Sequence, residues 1–357
     1  MKIEALNQEQ HSLGHIPVLF DDLTADERAF LLHRFYRQAR KTLLSPSRLL
    51  VFFDSFELTD WVNRWGNPQE KARLADILKA QHIIFKGQNF EFDLTTDPIV
   101  YTIMNVTPDS FHDGAQENLE LHHFLKKAEA QLEAGSHVLE LGGKSSRPGY
   151  EDISPEAEWK RLEQPLRALK QSFPEAVIAI DTDEADVMER VLDAGADIIN
   201  DIDGFDRPEK LSLLSAYKPA VVVMNNGRQP NVYREDLAEE LTQYFSYKKD
   251  ELLALGLSNE NICTDPGVGF YSKERGSDSL ERAKTTEILA RLGMPVMIAI
   301  SHKRFLSQDF GLSEEERMIG NLMLEAQMIA DGGRVLRVHD ASATKRMIDA
   351  YKTYKRV

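Results

Sequence analysis

From about residue 100 onward, eight short apolar, β-branched runs recur: VYTIM (100–104), HVLEL (137–141), VIAID (177–181), DIIN (197–200), AVVVM (220–224), NICTD (261–265), VMIAIS (296–301) and RVLRV (334–338). Between them lie longer segments, such as HHFLKKAEAQLEAG (122–135) and ADVMERVLDAG (185–195), whose apolar residues are spaced as on a helix. Gly135, Gly195 and Gly256 stand where helix C-termini are expected. Strand–helix alternation implies parallel strands joined by crossovers. Eight such units between residues 100 and 355 fit a closed barrel better than an open doubly wound sheet. An open sheet would leave two edge strands, and none of the eight runs is blunted for that position. The expected fold is α/β: a (β/α)8 TIM barrel over residues 96–357, preceded by a small α/β N-terminal module.

That module, residues 1–95, reads differently. TADERAFLLHRFYRQARK (24–41) predicts an amphipathic helix capped by Thr24, with acidic residues in its first turn. RLLVFFDSF (48–56) predicts a buried strand, PQEKARLADILKAQ (68–81) a second helix, and IIFKGQNFEFDL (83–94) a hairpin or extended link. The aromatics of VFFDSFELTDW read as core, and no constellation of reactive residues stands out.

Composition narrows the function. A net charge of −15 argues against nonspecific nucleic-acid binding, which depends on basic surface, but leaves room for an anionic small molecule held by a few focused cations. No run approaches the roughly 20 apolar residues that span a bilayer. The start, MKIEALNQEQHSLGH, lacks the apolar centre of a secretory signal. The single cysteine, Cys263, excludes an internal disulfide and a cysteine-built metal site, and reads as a small buried side chain. The expectation is a cytoplasmic protein acting on small molecules, with no nucleic-acid or membrane partner.

In such barrels the reactive groups collect at the C-terminal ends of the strands. Here the first strand ends in Asn105 and the second in GGKSSRPGY (142–150). The third ends in Asp181 and Thr182, and the fourth in Asn200 and Asp201. The fifth ends in MNNGRQP (224–230), the sixth in Asp265, the seventh in SHKRF (301–305) and the eighth in Arg337, Val338, His339 and Asp340. Asn200 and Asp201 alone could equally be turn formers; eight polar ends on one rim point to a site. Asp181 and Asp265 directly follow apolar strands and should be partly buried. Carboxylates and an amide suit a flat heterocycle rich in N–H donors, because a carboxylate accepts two such bonds at once. Arg337 and His339 suit phosphate or pyrophosphate. Asn105 is then a candidate ligand for Mg2+, an ion that takes few protein ligands beside substrate phosphates and water. The Gly- and Pro-containing loops after strands one and two suit lids.

These residues resemble the dihydropteroate synthase family, the folate-pathway pterin-binding barrels, in a long form with an N-terminal extension. NVTPDSF followed by DG, GG-x-S-[ST]-RPG, IDT, GADIIND, DPG-x-GF, a Ser-x-Lys after strand seven and RVHD occur in the family's order, over about residues 98–355. NVTPDSF together with SRPG is highly specific. The resemblance implies condensation of 6-hydroxymethyl-7,8-dihydropterin pyrophosphate with p-aminobenzoate, releasing pyrophosphate. It implies that Asp181, Asn200, Asp265 and Lys303 hold the pterin with Met224 packed on its face. Asn105, through Mg2+, Arg337 and His339 would hold the pyrophosphate. Ser145, Ser146, Arg147, Pro148, Phe270 and Ser301 would form the p-aminobenzoate pocket, under a lid of Thr107, Asp109, Ser110 and Phe111. It also implies a homodimer.

The sequence departs from the family pattern at Lys144, where Glu is usual, and at Ser146, where Thr is usual. Asn225 and Asn226 follow Met224 in place of His-Met, Tyr271 interrupts GFGK, and His302 stands in Ser-x-Lys. The departures fall on the lids and the p-aminobenzoate side, which leaves open a pterin-binding relative that lacks synthase activity or uses another acceptor.

Overall fold

Antiparallel pairing near the N-terminus and parallel pairing after residue 98 accompany a division into two compact units. One comprises Met1–Ile83, Thr95–Asp97 and Asp349–Val357; the other comprises Ile84–Leu94 and Pro98–Ile348. The computed structural model describes residues 1–5, 16–36, 40–106, 114–144, 153–227, 236–270, 278–313 and 315–355.

In the first unit β1 (Lys2–Ala5), β2 (Ile16–Asp21), α1 (Ala25–Arg34), β3 (Lys41–Ser45), β4 (Arg48–Phe53), α2 (Ser55–Arg64) and α3 (Pro68–Lys79) follow one another. The strands form an antiparallel sheet ordered β1-β2-β4-β3. Thr24 caps α1 as expected, but the helix stops at Arg34 and Lys41 already belongs to a strand. The run over 48–56 is likewise shorter than expected. Asp54 and Glu57 form a reciprocal cap that ends the strand at Phe53 and opens α2. Phe20, Phe35, Phe53 and Trp65 fill this unit's core, so the aromatics are packing residues.

In the second unit the hairpin β5 (Ile84–Lys86) and β6 (Glu91–Asp93) comes first. The expected boundary at residue 95 places it in the N-terminal module instead. It groups with the barrel because its backbone and turn bond there: Asn89 Nδ2 donates to Asp197 Oδ1 at 3.0 Å, and Lys86 O accepts from Asn261 Nδ2 at 2.9 Å. Asp197 and Asn261 immediately precede strands, so the hairpin sits at the N-terminal end of the barrel.

The barrel then runs β7 (Ile99–Asn105), α4 (Gly114–Glu133), β8 (Val138–Gly142), α5 (Pro155–Ser172), β9 (Val177–Asp181), α6 (Ala185–Asp193), β10 (Ile198–Asp201) and α7 (Pro208–Tyr217). It continues with β11 (Ala220–Met224), α8 (Leu237–Ala254), β12 (Ile262–Asp265), α9 (Ser279–Lys284), α10 (Thr286–Leu289) and β13 (Met297–Ile298). Last come α11 (Phe305–Phe310), α12 (Arg317–Ala330), β14 (Val335–Val338) and α13 (Ala341–Lys355). All eight strands are parallel, ordered β12-β11-β10-β9-β8-β7-β14-β13. Thr264 bridges to Val296, and its N–H donates to Pro295 O at 2.9 Å, which brings the two ends of the sheet together as an almost closed ring. The strand expected over 296–301 has only two residues in the ladder. Gly135 and Gly195 take φ of 98° and 92°, closing α4 and α6 as their positions predict.

Alternation along each strand sorts the side chains. Leu139, Leu141, Ile178, Ile180, Ile199, Val221 and Val223 pack outward in the main apolar core. The opposite phase carries Glu140, Asp181, Asn200, Met224 and Asp265 to the inner face. Ladder pairs Gly142–Asp181, Asp181–Asn200 and Met224–Asp265 keep the strand ends level.

Candidate active site

The inner face of a barrel strand is expected to be apolar. β8 breaks that rule with Glu140, which is only 1% exposed. A buried carboxylate demands partners, and Glu140 finds them on strands either side. Its Oε2 accepts from Asn200 Nδ2 at 2.9 Å, and its Oε1 accepts from Arg337 Nε at 2.8 Å as well as from Nη2. The same Nη2 donates to Asp181 Oδ2 at 2.7 Å. Glu140, which sequence reasoning missed, thereby joins Asn200 to Arg337, and Arg337 extends the chain to Asp181. The signal was present, since Glu140 is the one charged residue in VLELG and shares the phase of Gly142 and Asp181.

Asn200 and its neighbour Asp201 part company. Asn200 faces inward, whereas Asp201 faces the helices, where its Oδ2 accepts from Lys210 Nζ at 2.9 Å with both side chains fully buried. Asp201 is therefore a structural ion pair.

A second cluster forms across β12 and the turn after β13. Asp265, 2% exposed, accepts from Gly267 N–H at 2.8 Å. Lys303 reaches in beside it, donates to Val268 O, and lies 5.0 Å from the Phe270 ring centroid. Gly269 makes this approach possible: at φ 86° it carries no side chain, and a Cβ there would lie 2.5 Å from Lys303 Cδ. Met224 pairs with Asp265 in the ladder and is 5% exposed. Arg282, fully buried, donates from Nη1 to Asn225 O at 3.0 Å and to Pro266 O at 2.7 Å, fixing the ends of β11 and β12. Ser301 Oγ lies 3.0 Å from His339 Nδ1, and the His302 and His339 rings meet edge to face at 5.0 Å.

Electrostatics follow from this crowding. Burial pushes the Asp181 carboxyl up to about 7, a rise that Glu140 reinforces and Arg337 opposes. Burial also raises Asp265, against Lys303 and the Gly267 N–H. The Lys303 ammonium is pulled down to about 8 by burial, with Asp265 resisting. Burial works against the Arg337 charge, but Glu140 and Asp181 outweigh it and keep the guanidinium protonated.

Among the described residues no group of three or more His, Cys, Asp or Glu side chains could hold a metal. Asn105 offers something different: an exposed amide at the end of β7. A Cβ built on Gly142 would lie 3.6 Å from Asn105 Oδ1 and 4.0 Å from Asp181 Cβ, so the glycine keeps that space open. One hard oxygen with open space fits Mg2+ completed by phosphate oxygens and water. It would not fit a metal held by protein ligands alone.

Lys144, the departure with reversed charge, is compensated: its Nζ lies 3.0 Å from Asp183 Oδ1 and 3.6 Å from Glu184 Oε1. Asn226 Nδ2 donates to Asp203 Oδ1 at 2.7 Å. Thr107, Asp109, Ser110, Phe111, Ser145, Ser146, Arg147, Pro148 and Tyr271 lie outside the described residues.

Residues 101–339 match the family described as pterin binding enzyme. The dihydropteroate synthase of Synechocystis is 34% identical over 259 residues, 71% of this chain and 88% of that protein. That of Bacillus subtilis is 33% identical, over 70% of this chain and 86% of its own. A solved dihydropteroate synthase from Xanthomonas albilineans with 4-aminobenzoic acid superposes with a TM-score of 0.68 at 26% identity, covering 77% of this chain and 99% of that one.

Proposed function

Because this chain belongs to the dihydropteroate synthase family of pterin-binding enzymes, we propose that it is a transferase that condenses 6-hydroxymethyl-7,8-dihydropterin pyrophosphate with p-aminobenzoate. The products are 7,8-dihydropteroate and pyrophosphate. The observation that supports this most is the joining of Asn200 and Arg337 through buried Glu140, with Arg337 reaching on to Asp181, at the barrel end that also carries Asp265 and Lys303.

In this reading Asp181 and Asp265 accept the N–H donors of the pterin edge, Asn200 adds an amide, and Lys303 donates to a ring acceptor. Met224 packs on the ring face. Arg337 and His339 hold the pyrophosphate, which leaves with the electron pair of the breaking carbon–oxygen bond. The positive charge left on the pterin methylene is delocalised into the ring, where Asp181 and Asp265 stabilise it. The aromatic amine attacks that carbon and then loses its proton, so no strong general base is required. Ser301 and Phe270, with Ser145, Ser146, Arg147 and Pro148, receive p-aminobenzoate, and Thr107, Asp109 and Phe111 cover it. Mg2+, held by Asn105, supplies charge neutralisation for the pyrophosphate when bound.

All of these residues belong to the barrel unit; the N-terminal unit carries none of the groups assigned to the reaction. Pairing into a homodimer is part of the same reading. Ile319 and Met323, one turn apart on α12, and Phe310 on α11 are 65%, 69% and 47% exposed, an apolar face that a second copy would cover. A cytoplasmic setting accords with the free, buried thiol of Cys263, and among the described residues no helix is long and apolar enough to cross a membrane.

The test is direct detection of 7,8-dihydropteroate after incubation with both substrates and Mg2+. Product that disappears with EDTA and returns with added Mg2+ supports the reading. Pterin binding without product would assign the protein to the other branch, a binder or an enzyme with a different acceptor.

A further inference from the structure

We propose that Glu140 is a positioning residue, which fixes how Asn200 and Arg337 meet the substrate and keeps Arg337 from pairing wholly with Asp181. The inference rests on the pterin reading above.

Two geometric facts carry it. A carboxylate can only accept hydrogen bonds, so its contact with Asn200 must be made by the amide nitrogen; Asn200 Oδ1 is thereby turned away from Glu140. The guanidinium of Arg337 is planar, and two of its nitrogens, Nε and Nη2, are fixed on Glu140 Oε1. That fixes the plane of the group. Asp181 receives only Nη2, a donor already shared with Glu140.

The charge balance explains why this matters. With Glu140 present, one guanidinium faces two carboxylates, and its hold on Asp181 is divided. Pterin N–H donors can take over the Asp181 oxygen while Arg337 stays anchored and turns its remaining donors to the pyrophosphate. Without the Glu140 charge, Arg337 and Asp181 form a closed pair, and the substrate must break it first.

Glu140→Gln removes the charge while keeping the shape and an acceptor for Asn200. The full chain is titrated calorimetrically with 6-hydroxymethylpterin, which lacks the pyrophosphate, as wild type, E140Q, R337A and E140Q/R337A, with the Tm of each. E140Q is expected to weaken pterin binding about tenfold or more, the effect of a charged hydrogen bond. R337A alone leaves pterin affinity no weaker than wild type, and adding E140Q to it changes affinity by no more than about twofold. A merely structural role for Glu140 would weaken binding equally in both backgrounds, and that result overturns the proposal. So does E140Q with normal affinity and a normal Tm. If E140Q does not fold, E140D serves. It keeps the charge but withdraws it by one methylene, and is expected to weaken pterin binding only where Arg337 is present. Wild-type-like E140D would then overturn the idea. Wild-type protein that binds no pterin refutes the pterin reading itself, whereas wild-type binding with all variants alike removes only the role of Glu140.

Discussion

Arg337 on β14 donates to Asp181 on β9 at 2.7 Å, although β8 and β7 lie between those strands in the sheet. The contact crosses the inside of the barrel and joins the two groups assigned to opposite ends of the substrate. It predicts split behaviour for R337A. The KM for pterin pyrophosphate should rise by about 10- to 100-fold, through loss of a charged contact of about 1.5–3 kcal/mol. Affinity for the pterin without pyrophosphate should not fall. Steady-state kinetics beside calorimetry check this; equal losses for both ligands would place the anion away from Arg337.

The same crowding predicts the pH profile. Burial holds Asp181 at about 7, so its carboxylate is lost as the pH falls through that value. Burial holds Lys303 at about 8, so its ammonium is lost as the pH rises through that value. If both charged forms are needed, kcat/KM is a narrow bell, and the two limbs belong to the interacting set rather than to either residue alone. K303R, whose guanidinium stays charged, should lower the rate but abolish the alkaline limb. A limb that persists in K303R belongs to another group.

Neighbours Asn200 and Asp201 should fail in opposite ways. D201A leaves the fully buried Lys210 ammonium on Asp206 alone and should cost about 3 kcal/mol of stability in urea denaturation. N200A should cost about 1–2 kcal/mol while pterin affinity drops. A stable D201A would mean that Asp206 alone satisfies Lys210.

Gly269 should tolerate no side chain. G269A places a Cβ 2.5 Å from Lys303 Cδ at a φ of 86°, so the lysine must move. The expected loss is about 100-fold in kcat/KM, as for a displacement of about 1 Å at a reacting site, with the fold retained by circular dichroism. Normal turnover would mean that Lys303 need not sit where it does.

Much of this was legible in the sequence, and for physical reasons. Eight strand–helix units and the polar residues that end the strands follow from period and position alone, and they placed Asp181, Asn200, Asp265, Lys303 and Arg337 on one rim. What escaped was direction and pairing. Asn200 and Asp201 look alike in sequence; only the strand phase sends one inward and the other to Lys210. Glu140 escaped because a charge inside an apolar run looks like an exception until its partners, 60 and 197 residues away, are known. The start of α2 escaped because Asp54 and Glu57 lie in a run dominated by aromatics.

The central claim is that this strand-end cluster drives condensation. The most direct measurement is 7,8-dihydropteroate and pyrophosphate formed in a single turnover of the wild-type chain, omitting p-aminobenzoate and Mg2+ in turn, beside D181A. The account predicts dihydropteroate, with a matching amount of pyrophosphate, only with all three components, and a loss of both in D181A that leaves its Tm close to wild type. Pyrophosphate released in the presence of all three without dihydropteroate, or D181A turning over like wild type, would contradict it.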